Sequence, residues 1–445
     1  MGRLGPRLVV AGTHSGVGKT TVATGLMAAL RARGVRVASA KVGPDYVDPG
    51  YHSLATGRPP RNLDAWICGA DAIGPLAARA AVGAEVLIIE GVMGLFDGAA
   101  EDGTASTAHV ARLLDAPVVL VVDAAAMSGS VAALVHGFRS FDPRLRVAGI
   151  VLNRVGSDGH EALLRHALES SALPVLGVLR RDDALVWRDR HLGLVPVAEQ
   201  PDVVRRSVAS LGATVRESFD LDAIVALATT APVRSEVEPA AAAPSGLARV
   251  AVADGPAFSF RYPDNLEALV QAGAELAPFD PLEDVSLPAG CTALYAGGGF
   301  PEVFAPDLAA NTQLLADVRR QVQGGLVTWA ECGGLLWLAE SLDEHGMAGV
   351  IPAAGRMTGR LSLGYRRAVT QVDSPVAEAG RELRGHEFHY SAVDPPGDAL
   401  LLSGRSGSGR GGFGSATLFA SYLHQHLGAD PSPAERFVAA STSPE

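Results

Sequence analysis

The chain has 445 residues, 48% hydrophobic and 19% charged, enough for two or three globular domains and unlike a disordered or fibrous protein. A net charge of −11 argues against nucleic acid or an anionic membrane as partner, and an anionic substrate would need a locally basic pocket. Three irregularly spaced cysteines, Cys68, Cys291 and Cys332, make neither a disulfide framework nor a zinc site and fit a reducing, cytoplasmic setting.

The N-terminus carries no basic-then-apolar leader pattern, and the longest apolar run, Pro117 to Val122, is too short to span a bilayer. Six runs read as strands: Leu8–Ala11, Val35–Val42, Glu85–Ile89, Pro117–Val122, Val147–Leu152 and Val175–Leu179. They are apolar on consecutive positions, as in strands buried on both faces. Helical patterns lie between them, which predicts βαβ units and a parallel sheet over residues 1–228.

The first run leads into GTHSGVGKTT (Gly12 to Thr21), followed by an apolar helical spacing at Val22, Leu26, Met27 and Leu30. A strand, a glycine-rich turn and a helix start aim backbone N–H groups at phosphate. Gly16, Val17, Gly18, Lys19, Thr20 and Thr21 form this nucleotide site, with Lys19 for the terminal phosphates and Thr20 for Mg²⁺. The usual spacing puts a glycine at position 13, where this chain has Thr13. The loop resembles the variant loop of the dethiobiotin synthetase group.

Ligands of open parallel sheets sit beyond the C-terminal strand ends. Glu90, at one such end, reads as an acid facing the nucleotide. Asp45, Tyr46, Val47 and Asp48 follow another strand, and Asp97 lies in the loop after Glu90. Thr20, Asp48 and Glu90 supply the hard oxygens that suit Mg²⁺. Asn153 closes a further strand, where it can read an adenine edge or cap a turn.

The Pro-, Ala- and Ser-rich stretch 229–248 reads as a linker. Strand-like runs restart at Arg249–Ala253, Thr292–Tyr295 and Leu326–Ala330 and define a second domain over 249–440. TWAECGGLLWL (Thr328 to Leu338) places Cys332 between a strand and a helical pattern, with Gly333 and Gly334 permitting a sharp turn. This is a nucleophile elbow with sulfur in place of hydroxyl. The following helix N-terminus is expected to lower the thiol pKa. Gly298 and Gly299 of AGGGFPE, with Gly333, are candidate oxyanion donors. His424 is the candidate base, with His426, His386 and His389 as alternatives. The run Ser403 to Gly414, nearly all Gly, Ser and Arg, reads as a hairpin tip.

Taken in order, GTHSGVGKTT, KVGPDYVDPGYH, EGVMGLFDG, AFSFRYPDNLEAL, YAGGGFPE, ECGGLLWL, RGHEFHYS and ASYLH resemble the cobyrinic or hydrogenobyrinic acid a,c-diamide synthase family of cobalamin biosynthesis. The resemblance implies an α/β protein. Its N-terminal P-loop domain would be similar to dethiobiotin synthetase, and its C-terminal domain would be a class I glutamine amidotransferase. It implies ATP, Mg²⁺, glutamine and a tetrapyrrole polycarboxylate as cofactor and substrates, with a homodimer as a compatible assembly. It assigns Cys332 the attack on glutamine, His424 its activation, and Asp45, Tyr46, Val47 and Asp97 the substrate or acyl-phosphate intermediate. Class I enzymes carry a glutamate two residues after the histidine, where this chain has His426. Arg356, Arg360, Arg366 and Arg367 are candidates for the polyanion pocket. Rival readings are a nickel-sirohydrochlorin a,c-diamide synthase, cobyric acid synthase and, from another class, a partitioning or regulatory P-loop ATPase.

Overall fold

The computed structural model describes residues 2–99, 103–181, 189–190, 193–194, 196–236, 248–405 and 407–442. The chain forms two compact units, 1–238 and 239–445. Among the described residues no helix is long and apolar enough to cross a membrane.

The first unit is built on a seven-stranded sheet. Its strands are β1 (Arg7–Gly12), β2 (Val37–Val42), β3 (Arg61–Leu63), β4 (Val86–Glu90), β5 (Val118–Asp123), β6 (Val147–Val155) and β7 (Val175–Arg180), in the order β3-β2-β4-β1-β5-β6-β7. Every neighbouring pair is parallel. Strands β1, β2 and β4 are buried along their whole length, which is why their sequences are apolar without alternation. The six expected strands are all present. β3 was not expected, because its three residues include Arg61 and Asn62 and carry no hydrophobic pattern. The helix α1 (Lys19–Ala32) buries Val22, Leu26, Met27 and Leu30, the positions its periodicity marks.

Regular structure continues past 228 into the expected linker. A helix runs Leu221–Thr229, and strand Arg234–Glu236 then pairs antiparallel with Gly2–Leu4. Buried Arg7 donates to the carbonyls of Leu114, at 2.6 Å, and Pro232, at 2.9 Å. Composition alone hides this pairing between the two ends of the unit. Residues 237–247 of the expected linker lie outside the described residues.

The second unit has a six-stranded sheet. Strands β8 (Ala248–Ala253), β9 (Ala274–Phe279), β10 (Ala293–Ala296), β11 (Val327–Glu331) and β12 (Leu418–Ser421) are parallel in the order β9-β8-β10-β11-β12. The short strand Phe413–Gly414 closes one edge antiparallel. A second sheet is dominated by the pairing of Ile351–Thr370 with Glu382–Asp394. The Gly-rich run joins it as a hairpin, Leu400–Gly404 against Gly407–Gly411. Trp329 sits edge-on to both Tyr295, at 5.4 Å, and Phe437, at 5.7 Å, and fixes β11 in the core.

Candidate active site

The phosphate loop leaves β1 in the middle of the sheet. Gly18, at φ 95°, adopts a left-handed conformation at the start of α1. A Cβ there would also collide with the Asn153 amide. Asn153 Nδ2 donates to the Val17 carbonyl at 2.9 Å, and its Oδ1 accepts the Arg154 N–H at 2.9 Å. Asn153 therefore braces the loop, with its second Nδ2 hydrogen and second Oδ1 lone pair left over by these two bonds. Arg154 donates to the Gly16 carbonyl at 3.0 Å and pairs with Asp123. Lys19 Nζ donates to the His14 carbonyl at 3.2 Å, within the loop itself. Burial and the neighbouring Lys41 push the Lys19 ammonium down to about 8. Thr21 follows Thr20 in the first turn of α1.

The three residues expected to hold a metal do converge. Thr20 Oγ1 donates to Glu90 Oε1 at 2.7 Å and to Asp48 Oδ2 at 3.2 Å. A cation already stands among them. Lys41 Nζ lies 2.6 Å from Asp48, 2.9 Å from Glu90 and 3.8 Å from Asp45. Burial alone would lower the Lys41 pKa, but Asp48, Glu90 and Asp45 hold it well above its ordinary value. His52 Nε2 lies 2.6 Å from the second oxygen of Glu90, with both side chains fully buried. Burial would raise the Glu90 pKa; Lys41 and His52 outweigh it and keep the carboxyl ionised. Among the described residues no three His, Cys, Asp or Glu side chains form a metal cluster. The oxygen set Thr20, Asp48 and Glu90, centred on an ammonium, nonetheless has the hardness and charge that Mg²⁺ takes.

Asp45 Oδ1 accepts the N–H groups of Val47, at 2.8 Å, and Asp48, at 3.1 Å, so the carboxylate shapes the start of helix α2 (Asp48–Thr56). Burial and the nearby Asp48 push its carboxyl up to about 7. Val47 is buried, and Tyr46 lies beside it on the same turn. Asp97 Oδ2 accepts the Gly94 N–H at 2.8 Å and closes the loop after Glu90. Lys41 and His52 went unnoticed in the sequence. The signal was available: Lys41 stands one residue before the end of its strand, and His52 one helical turn after Asp48.

In the second unit, three adjacent parallel strands deliver the chemistry from their C-terminal ends. β10 leads into the glycine loop, β11 into Cys332 and β12 toward His424. Cys332 has φ 51° and ψ −99°, a strained elbow conformation costing about 1–3 kcal/mol. The glycines after it permit a close approach. A Cβ on Gly334 would collide with the Ala296 carbonyl, and one on Gly333 would stand 3.0 Å from the Gly299 nitrogen. Gly334 N–H donates to the Gly297 carbonyl at 3.0 Å and ties the elbow to the loop.

Two expectations need correction here. Gly298 N–H donates to the Phe260 carbonyl at 3.0 Å in a two-way bridge, so it has no hydrogen left for an oxyanion. Gly299 and Gly333 remain as the pair facing the elbow. The thiol pKa also moves opposite to the expected direction. Burial, then the charge of Glu302, pushes the Cys332 thiol well up, and the Gly333 N–H offsets this only in part. The helix that follows, Gly333–Leu338, is only six residues long.

The four histidines separate by their partners. His424 is buried, with its Cε1 edge against Gly298, and burial holds its pKa well below the ordinary value. His426 Nδ1 accepts the Gly428 N–H at 3.1 Å, its Nε2 lies 3.7 Å from Asp264, and its ring packs on Tyr262. His389 Nδ1 donates to the Ser391 carbonyl at 2.8 Å and stacks on Tyr422. The His386 ring lies 5.0 Å from that of His424, across the pairing of their strands. Arg366, expected for a polyanion pocket, is buried in an ion pair with Glu387 at 2.8 Å. Arg367 pairs with Glu382 at 3.1 Å, and Arg356 and Arg360 are exposed. Cys68 and Cys291 are half-buried and lie away from the elbow sequence.

Residues 8–194 match the CobQ/CobB/MinD/ParA nucleotide binding domain, and residues 249–432 match the CobB/CobQ-like glutamine amidotransferase domain. The chain is 50% identical to hydrogenobyrinate a,c-diamide synthase of Streptomyces coelicolor, with 97% of each chain covered. The chain belongs to the a,c-diamide synthase family. The Thermobifida fusca hydrogenobyrinate a,c-diamide synthase is 48% identical over 98% of this chain and 96% of its own length. The cobyrinate a,c-diamide synthase of Synechococcus sp. is 41% identical over 97% and 98%. An a,c-diamide synthase joins an ATP-binding half to a glutaminase half, and the rival of a stand-alone regulatory ATPase does not fit the amidotransferase domain.

Proposed function

We infer that the protein uses ATP and glutamine to amidate the a and c acetate carboxylates of hydrogenobyrinic acid in cobalamin biosynthesis. One observation carries this reading. A chain similar end to end to hydrogenobyrinate a,c-diamide synthases brings Thr20 against Glu90 at the start of the Lys19 helix and has a Cys332 elbow.

In the first unit, Lys19 and the N–H groups of residues 16–21 bind the ATP phosphates. Thr20, Asp48 and Glu90 would hold Mg²⁺, which would neutralise phosphate charge. The substrate carboxylate oxygen takes the γ-phosphoryl group and ADP leaves. Ammonia attacks the acyl carbon, phosphate departs with the bonding pair, and the nitrogen gives up one proton to the departing phosphate. Asp45, Tyr46, Val47 and Asp97 line the path of the substrate and the acyl phosphate.

In the second unit, Cys332 sulfur attacks the glutamine carboxamide carbon and His424 takes the thiol proton. The ring returns that proton to the departing nitrogen, which leaves as ammonia; water then cleaves the thioester to glutamate. The resting thiol is buried, and burial pushes its pKa well up. Gly299 and Gly333 N–H groups stabilise the oxyanion. His424 fits the base role better than His426, whose two ring nitrogens face Gly428 and Asp264. Three irregularly spaced cysteines, too few for a disulfide framework, support a reducing, cytoplasmic setting.

The test is the purified protein with ATP, Mg²⁺, glutamine and each acid in turn. Mass spectrometry is expected to show two amidations of hydrogenobyrinic acid. Turnover confined to cobyrinic acid would move the substrate assignment, and amidation of neither would remove it.

A further inference from the structure

Glu331 is the last residue of β11, immediately before Cys332, and is fully buried. An acid in that place needs a reason, because burying an unpaired carboxylate is costly. Its Oε1 accepts the Gln425 backbone N–H at 3.2 Å, one residue beyond His424. Its Oε2 accepts the Tyr295 hydroxyl at 3.2 Å and lies 3.9 Å from His424 Nδ1. Tyr295 is itself fully buried and packed edge-on to Trp329, so the carboxylate is fixed from behind. Sheet register produces this meeting. β11 and β12 are parallel neighbours with Glu331 opposite Ser421, three residues before His424.

We propose that Glu331 is the positioning acid of His424, supplied by the residue before the nucleophile instead of the residue two after the histidine. Its carboxylate accepts Nδ1–H and so selects the tautomer whose unprotonated Nε2 can take the thiol proton. It also supplies negative charge beside a ring that becomes positive during the transfer. That ring is fully buried near His386 and His389, where an imidazolium with no counter-charge would be strongly disfavoured. The 3.9 Å separation is longer than a hydrogen bond, and such catalytic contacts commonly tighten when substrate binds. Glu331 forms and breaks no covalent bond. The proton moves from sulfur to Nε2, the sulfur pair bonds to the carboxamide carbon, and the proton leaves with ammonia. His426, where the class I pattern has its acid, pairs instead toward Asp264.

The proposal rests on the Cys332–His424 glutaminase reading, and the test separates the two. Glu331→Gln keeps size and an acceptor for Gln425 N–H but removes the charge. Glutaminase kcat is expected to fall about 10²- to 10⁴-fold, as when a histidine loses its orienting acid. The KM for glutamine should stay within about threefold and ammonium-driven amidation within about twofold, since only a step after binding is affected. Glu331→Asp, which keeps the charge, should recover at least about tenfold of the lost kcat. Glutaminase kcat within about threefold of wild type in Glu331→Gln would overturn the proposal. So would Asp and Gln variants that lose kcat equally, the mark of a merely structural role. If Glu331→Gln does not fold, the Asp variant decides. Reduced kcat at unchanged KM supports the proposal, and a KM effect alone overturns it. Cys332→Ser is the control: if it still hydrolyses glutamine, the glutaminase reading itself has failed.

Discussion

Lys41→Met removes the ammonium paired with a knot of carboxylates. Lys41 is 3% exposed and lies 2.6 Å from Asp48 and 2.9 Å from Glu90. Without it Glu90 retains His52 at 2.6 Å, while Asp48 keeps only the weaker Thr20 hydroxyl at 3.2 Å among these partners. Breaking one side of a buried ion pair costs about 3–5 kcal/mol. For a unit of 238 residues, at about 2–4 °C per kcal/mol, the melting transition should drop by about 6–20 °C. The assay is thermal melting followed by circular dichroism, first with a chelator and then with Mg²⁺. Because the ammonium and the metal draw on the same oxygens, Mg²⁺ should protect the variant more than the wild type. At about 100-fold above the dissociation constant it would return about 2.7 kcal/mol. A variant that melts with the wild type in chelator would refute the ion-knot account. Equal protection of both proteins by Mg²⁺ would refute the shared oxygen set.

Gly334→Ala drives a Cβ into the Ala296 carbonyl and should cost about 1–3 kcal/mol through forced backbone shifts. Glutaminase turnover should fall with stability while ammonium-driven amidation persists, checked by melting and the two nitrogen-source assays. The pH profile is a separate test. Burial pushes the Glu331 carboxyl up to about 8, while the facing Cys332 and Tyr295 lie well above that and His424 well below. The ionised carboxylate is the form that accepts Nδ1–H, so kcat/KM for glutamine should be full above about pH 8 and fall as pH drops through it. Glu331→Gln should flatten that limb.

What could be read from the sequence was local. Apolar runs placed β1, β4 and β5 because those strands are buried on both faces and carry little else. Gly333 and Gly334 marked the elbow because sharp turns demand glycine; Thr20 followed from the phosphate loop, and Asp48 and Glu90 from strand ends. What escaped depends on contacts between distant segments. Lys41 meets Glu90 only because β2 and β4 pair, with Lys41 opposite Glu90. Glu331 meets His424 through the register of β11 and β12. Gly298 read as an oxyanion donor until a bridge to Phe260, remote in sequence, took its hydrogen. The first unit runs to 238 because Arg234–Glu236 returns to Gly2–Leu4, a pairing no composition shift reports.

The division of labour between the halves can be tested with Cys332→Ser and two nitrogen sources. Amide product is measured with ATP, Mg²⁺ and the tetrapyrrole acid, supplied with glutamine or with an ammonium salt. Glutamine-dependent amidation should fall at least about 10³-fold, because the thiol nucleophile is gone. Ammonium-dependent amidation should stay within about twofold of wild type, because the phosphate site around Lys19 is untouched. Equal loss with both sources, or amidation from glutamine that survives without the thiol, would contradict a chain with two separate sites.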